Sequence, residues 1–167
     1  MTPLKSSTLL RASGESDDAL ETRQTALARL ADFAMPSGRE EVWRYVDLDF
    51  DLDDFDLASA PESSVTFDSI ADTAGTATVI DGAVVAATSA NPNVSVERAV
   101  GSFESLIAPD QDIFTAAHAA HGAERVDVVV ADGKAIAEPV VIDVGASTAA
   151  ASFPAIRIEV GNGAEAT

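Results

Sequence analysis

Ala155-Ile156-Arg157-Ile158-Glu159-Val160-Gly161-Asn162-Gly163 alternates apolar and charged residues, then breaks at a glycine-rich turn. Period-two alternation places Ile156, Ile158 and Val160 on one face of an extended strand, with Arg157 and Glu159 on the other. Ala164 to Thr167 then reads as the start of a further strand. Working back from here, Val140 to Val144 follows Pro139, and Val126 to Val130 precedes a turn at Asp132-Gly133. Thr78-Val79-Ile80 and Ala83-Val84-Val85 flank Asp81-Gly82, the dipeptide that favours a tight hairpin, and Val94 to Val96 forms another short run. Short strands recurring every ten to fifteen or so residues suggest the first rungs of a stacked β architecture. Such rungs need neighbours or a cap to cover their apolar face. The chain therefore reads as the front part of a longer protein.

Ahead of the strands the periodicity is helical. Ser16 is a suitable N-cap, and Asp17 and Asp18 fall in the first turn, where negative charge is favoured. Leu20, Leu27, Leu30 and Ala34 make one apolar stripe, which Pro36 and Ser37-Gly38 end. A second helix is predicted from Asp110 through Phe114 to about Ala120, with Gly122 beyond it as a C-cap. Ser102 to Ile107 reads as a helical turn. Between the helices, Glu41-Val42-Trp43-Arg44-Tyr45 holds the chain's single Trp and single Tyr. Large aromatics bury far more area than the Ala, Val, Asp and Thr around them, so this cluster is expected to anchor its segment. Val46 to Asp53 alternates apolar and acidic residues as a half-buried extended segment would. Its aspartates do not form a calcium loop: counted from Asp49, the sixth and twelfth positions are Asp54 and Ala60, where that loop needs Gly and Glu.

The predicted architecture is α+β, an N-terminal helical region leading into the first rungs of a stacked β architecture. Residues 1–15 are expected to be a disordered lead-in, 16–60 the helical and extended region, 61–125 a mixed β/α region with β runs from Val65, and 126–167 the beginning of the stacked core.

Composition narrows function. The chain of 167 residues is 47% hydrophobic but only 5% aromatic, so its core is built from small side chains. It has no cysteine, which removes disulfides, thiolate metal sites and cysteine nucleophiles together. A net charge of -18, with Lys5 and Lys134 the only lysines, leaves no basic face for nucleic acid. Such acidity reads either as a solvated surface that resists association or as adaptation to a salt-rich cytoplasm. The second fits the scarcity of lysine and the screening of like charge at molar salt. The N-terminus has no sustained apolar core of a signal peptide, and no run is long enough to cross a bilayer, so the expected location is the cytoplasm.

Three features could carry chemistry. His118 and His121 lie three apart on the second predicted helix with Glu124 nearby, a spacing that could hold a metal, although two histidines at an Ala-rich helix end are expected to be ordinary surface residues. Gly161-Asn162-Gly163-Ala164-Glu165-Ala166 matches a dinucleotide fingerprint, which has meaning only if a helix follows; a turn between strands is favoured. There is no P-loop lysine after a glycine-rich strand exit and no Gly-x-Ser-x-Gly elbow. An enzyme is not expected, and no catalytic, cofactor or metal residue is assigned.

Several blocks together resemble the SufB/SufD family of iron–sulfur cluster assembly scaffolds. They are the Leu20 to Ala34 helix, Pro36, Glu41-Val42-Trp43-Arg44-Tyr45, and Phe114-Thr115-Ala116-Ala117-His118-Ala119-Ala120. Asp132-Gly133-Lys134, Glu138-Pro139-Val140-Val141-Ile142 and Ile156 to Ala164 complete the series. Ala117 and His118 depart from the family's Leu and Asn in the helix block. The Trp-Arg-Tyr block favours the SufD branch. The resemblance covers residues from about 20 to the end. It implies that the stacked strands are the first rungs of a right-handed parallel β-helix core between helical regions, and it implies a non-enzymatic scaffold role. It also implies partnership with SufB and the ATPase SufC, and iron–sulfur intermediates held by the full complex with no cofactor in this chain. Two other readings stay open: a stand-alone acidic β-rich binding module, and the front of a dinucleotide-dependent enzyme.

Overall fold

The computed structural model of the chain describes residues 4–58, 67–68, 72–101, 107–147 and 149–167. The start of the β texture at Val65 and most of the turn predicted over Ser102 to Ile107 lie outside them. Two compact units are present. One combines Met1–Ala58, Gly101–Ala123 and Ala149–Phe153; the other combines Ser59–Val100, Glu124–Thr148 and Pro154–Thr167. The units thus interleave along the chain and do not follow the consecutive division expected from composition.

The first unit is helical. Helix α1 spans Asp17–Leu30, and the Ser16 side chain accepts a hydrogen bond from the Ala19 N–H at 3.2 Å, as its capping role predicts. Its buried face is Ala19, Arg23, Ala26 and Leu30, with Leu27 at the flank, and Ala34 lies beyond the helix and exposed. The leucine stripe is therefore displaced sideways. Small residues permit closer backbone approach: a Cβ at Gly101 would lie 3.1 Å from that of Ala19. Helix α2, Ile113–His121, starts three residues after the predicted Asp110 because Asp112 and Thr115 cap it reciprocally, at 2.8 and 3.0 Å. Gly122 ends it. Its N–H donates to the His118 carbonyl at 2.8 Å, and a side chain there would meet that same oxygen at 2.8 Å. Leu30, Leu52, Ile113, Ala116 and Ala117 form the core, with Leu27, Phe33, Met35, Phe114 and Phe153 packed around it.

Two segments of this unit differ from expectation. Residues 4–15 are not a disordered lead-in: Leu4–Ser6 forms a 3-10 turn, Leu4 is wholly buried, and Lys5 lies 3.8 Å from Asp53. The acidic alternation over 46–53 makes no strand. It ends in a 3-10 turn at Leu52–Asp54, where Asp51 accepts from the Asp53 N–H and Asp54 from the Asp51 N–H. Short carboxylates compete for their own backbone donors, and that local bonding wins over a ladder.

The second unit holds two three-stranded sheets. In one, β1 (Gly75–Ile80) lies between β2 (Ala83–Ser89) and β5 (Val140–Gly145); in the other, β4 (Glu124–Val130) lies between β3 (Val94–Val100) and β6 (Ile156–Val160). The β1–β2 hairpin turns at Asp81 and Gly82, with φ of 52° and 83°, the left-handed pair that its Asp-Gly signal predicts. Ala77, Val79, Val94, Val96, Val126, Val128 and Val130 fill the core. A Cβ at Gly75 would come within 2.5 Å of the Val96 side chain, so glycine is required where these two strands meet.

The right-handed parallel β-helix is not the architecture of this chain. Every rung of a β-helix stacks in parallel, whereas here β1–β2 and β3–β4 pair antiparallel beside the parallel β1–β5 and β4–β6 ladders. Tight reversal at Asp81-Gly82 and the full-length β3–β4 ladder make both sheets mixed. Only the coarse α+β class survives.

Candidate functional site

Trp43 ends a 3-10 turn, Glu41–Trp43, and its ring is half-buried against Phe114 of α2 at a centroid distance of 5.5 Å. Phe50 adds a second aromatic, 6.3 Å from Phe114 and 5.8 Å from Phe55. The anchor expected of the cluster is thus Trp43 alone, and it rests on helix α2. Tyr45 is 91% exposed, and Arg44 pairs with the exposed Glu41 at 3.4 Å, an ion pair of little energetic weight. Trp43→Ala is expected to destabilise the protein by about 1–2 kcal/mol in urea denaturation, below the value for a fully buried ring, because this one is only partly buried. A change near zero would show the Phe114 contact to be idle.

The histidines also depart from expectation. His121 is not an ordinary surface residue but is only 9% exposed, and its ring stacks on Phe153 at 5.4 Å. No described group hydrogen-bonds to either of its ring nitrogens. Burial pushes its pKa down to about 4, opposed by the Leu4 backbone and aided by the Arg23 charge. His118 is half-buried and meets Phe153 edge-on at 6.5 Å. Glu124, the nearest further ligand by sequence, is otherwise engaged. It accepts from Arg98 at 2.7 and 3.0 Å and from the Val84 N–H at 3.1 Å, and the Arg98 hydrogen bonds hold its carboxyl below the usual range. Among the described residues no three metal-ligating side chains converge.

The glycine-rich segment forms a structural joint. The Asp132 carboxylate accepts from the Asn162 N–H at 2.7 Å, and the Gly133 N–H donates to the Asn162 carbonyl at 2.9 Å. A Cβ at Gly161 would lie 2.5 Å from the Asp132 carboxylate oxygen. Ala164 to Thr167 opens no helix; Glu165 bridges in parallel to Ala135 instead. The glycines permit two turns to stack.

Two features escape sequence reasoning. One is a buried ion pair: Arg23 donates to both Glu15 oxygens at 2.9 Å, to the Ala120 carbonyl at 2.9 Å and to that of Leu10 at 3.3 Å. Its sequence trace is an arginine at helical spacing between Ala19 and Ala26. The other is the uncovered face of β6. Ile156, Ile158 and Val160 pair with the buried Val126, Val128 and Val130, yet Ile158 remains 64% exposed. A shallow cavity of about 500 Å³ runs along the β2–β3 connection, lined by Asn91, Pro92, Asn93, Glu97 and Val129 among others. Its Asn91 side-chain oxygen already accepts from the Asn93 N–H, and Glu97 from Ser95, so these polar groups serve the local backbone and strand. Neither a protein-family model nor a curated protein sequence matches the chain. No helix among the described residues is long and apolar enough to cross a membrane.

Proposed function

We propose that this chain is the N-terminal part of a SufD-like scaffold subunit, a non-enzymatic cytoplasmic component of iron–sulfur cluster assembly. It acts with a SufB-like subunit and a SufC-like ATPase, and the cluster intermediates are cargo of the full complex. One observation carries this reading: the sequence blocks behind the resemblance meet one another as joints of the fold. Trp43 of the Trp-Arg-Tyr block lies on Phe114 of the helix block. Asp132-Gly133 locks onto Gly161-Asn162-Gly163. Residues whose side chains are spent on shaping the backbone suit a scaffold. The uncovered Ile156, Ile158 and Val160 row further supports association with other protein surface.

The stand-alone acidic binding module is favoured by a different observation: the two mixed sheets bury a core of their own. Co-expression of the natural gene product with its cognate SufB-like and SufC-like subunits, followed by purification in molar KCl, separates the two readings. A scaffold subunit co-elutes with the ATPase in fixed proportion. Elution free of both subunits would overturn the assembly role and leave the binding module.

A further inference from the structure

We propose that His121 is an acid-sensitive latch that holds the N-terminal segment, residues 4–15, on the end of helices α1 and α2. The geometry has three parts. His121 occupies the last turn of α2, buried, with Phe153 on its face and no hydrogen bond to a described group formed at either nitrogen. Leu4, wholly buried, brings its backbone to the imidazole. Immediately before His121, the Ala120 carbonyl accepts from Arg23, which also holds Glu15 and the Leu10 carbonyl. One cluster therefore pins both ends of the segment to both helices.

The charged and titratable groups around the ring are few. Arg23 comes from α1, with its charge matched by Glu15, and His118 is one turn earlier on α2. The Leu4 and Phe153 stretches present backbone and an apolar ring, and Lys5 is directed to Asp53. A proton on His121 would place a second cation beside Arg23 in a buried site where the Leu4 backbone is the one described group that favours the charged ring, so the protonated ring favours any state that returns it to water. The smallest such opening lifts the segment that covers it. The remaining helix contacts, including Trp43 on Phe114, need not change.

The sign follows from linkage. The closed state binds its proton only near pH 4 and the opened state near 6.5, so closure is fully stable above pH 6.5 and weakens as pH falls toward 4. Between pH 7 and pH 5 the opening constant should rise roughly twentyfold.

Hydrogen exchange read by mass spectrometry, in molar KCl and corrected for intrinsic rates, tests this on the whole chain. Protection of amides in residues 4–15, including the Glu15 N–H bonded to Ala12, is expected to fall about twentyfold from pH 7 to pH 5 while Trp43 emission stays constant. His121→Phe keeps the ring stack and should abolish the pH dependence. Equal pH dependence in that variant, or none in the natural chain, would overturn the latch. Should His121→Phe fail to fold, the natural chain's imidazole titration by NMR decides. Titration near 6.5 with the segment still protected also overturns it; a lag to lower pH, linked to loss of protection, supports it.

Discussion

Arg23→Ala is expected to lower the unfolding free energy by about 3–5 kcal/mol, among the largest single-residue effects in the chain. The substitution strands the Glu15 carboxylate, itself only 5% exposed, and removes the donor from the Ala120 and Leu10 carbonyls. Two unsatisfied backbone acceptors and an unpaired buried charge add to the lost contact. Glu15→Ala should be comparably severe, since it leaves a guanidinium without its counter-ion and frees the Ala12 N–H. Replacing both by apolar residues of similar volume should recover most of the loss, because a buried pair repays little more than its own desolvation. Urea denaturation in molar KCl measures each variant. A loss under about 1 kcal/mol for Arg23→Ala would mean that water reaches the pair and that the account of its burial is wrong.

Raising KCl from 0.1 M to 2 M is expected to raise Tm by roughly 10 °C or more, equivalent to a few kcal/mol for a domain of this size. A charge of -18 on 167 residues, with aspartates crowded over Asp47 to Asp56, repels itself across distances that about 0.1 M salt leaves unscreened. At molar salt the screening length shrinks to about 3 Å and that repulsion largely disappears. The Glu15–Arg23 pair provides an internal control. Being dry, it should contribute nearly the same amount at both salt levels, so the Arg23→Ala loss stays constant while the baseline moves. A Tm independent of KCl would exclude salt adaptation and leave the acidity as a means of staying dispersed.

Local signals were legible wherever one residue's own chemistry dictates the backbone. Ser16 and Asp17-Asp18 start α1, Asp81-Gly82 turns the hairpin, Gly122 closes α2, the Val-rich runs become β4 and β5, and the alternating run becomes β6. The candidate site was less legible. The sequence selected Trp43 but also Tyr45, and only packing on Phe114 distinguishes the anchor from its exposed neighbour. His118 and His121 were visible as a pair, yet burial of one depends on Leu4 and Phe153, far away along the chain.

Composition, cap and turn positions, and the apolar strand runs follow from the sequence itself, because each depends on neighbours within a few residues. Strand partnership was decided only in three dimensions. Alternating runs such as Ile156 to Val160 are compatible with a parallel coil or a mixed sheet, since period two sets which face is apolar and not which strand lies alongside. The ladders that join β3 to β4 across α2, and β1 to β5 across β2, β3, α2 and β4, arise from core filling at Val79, Val96, Val126 and Val128. The same holds for Arg23, which no local rule buries: it is held inside by a carboxylate eight residues before it and a carbonyl at the end of another helix.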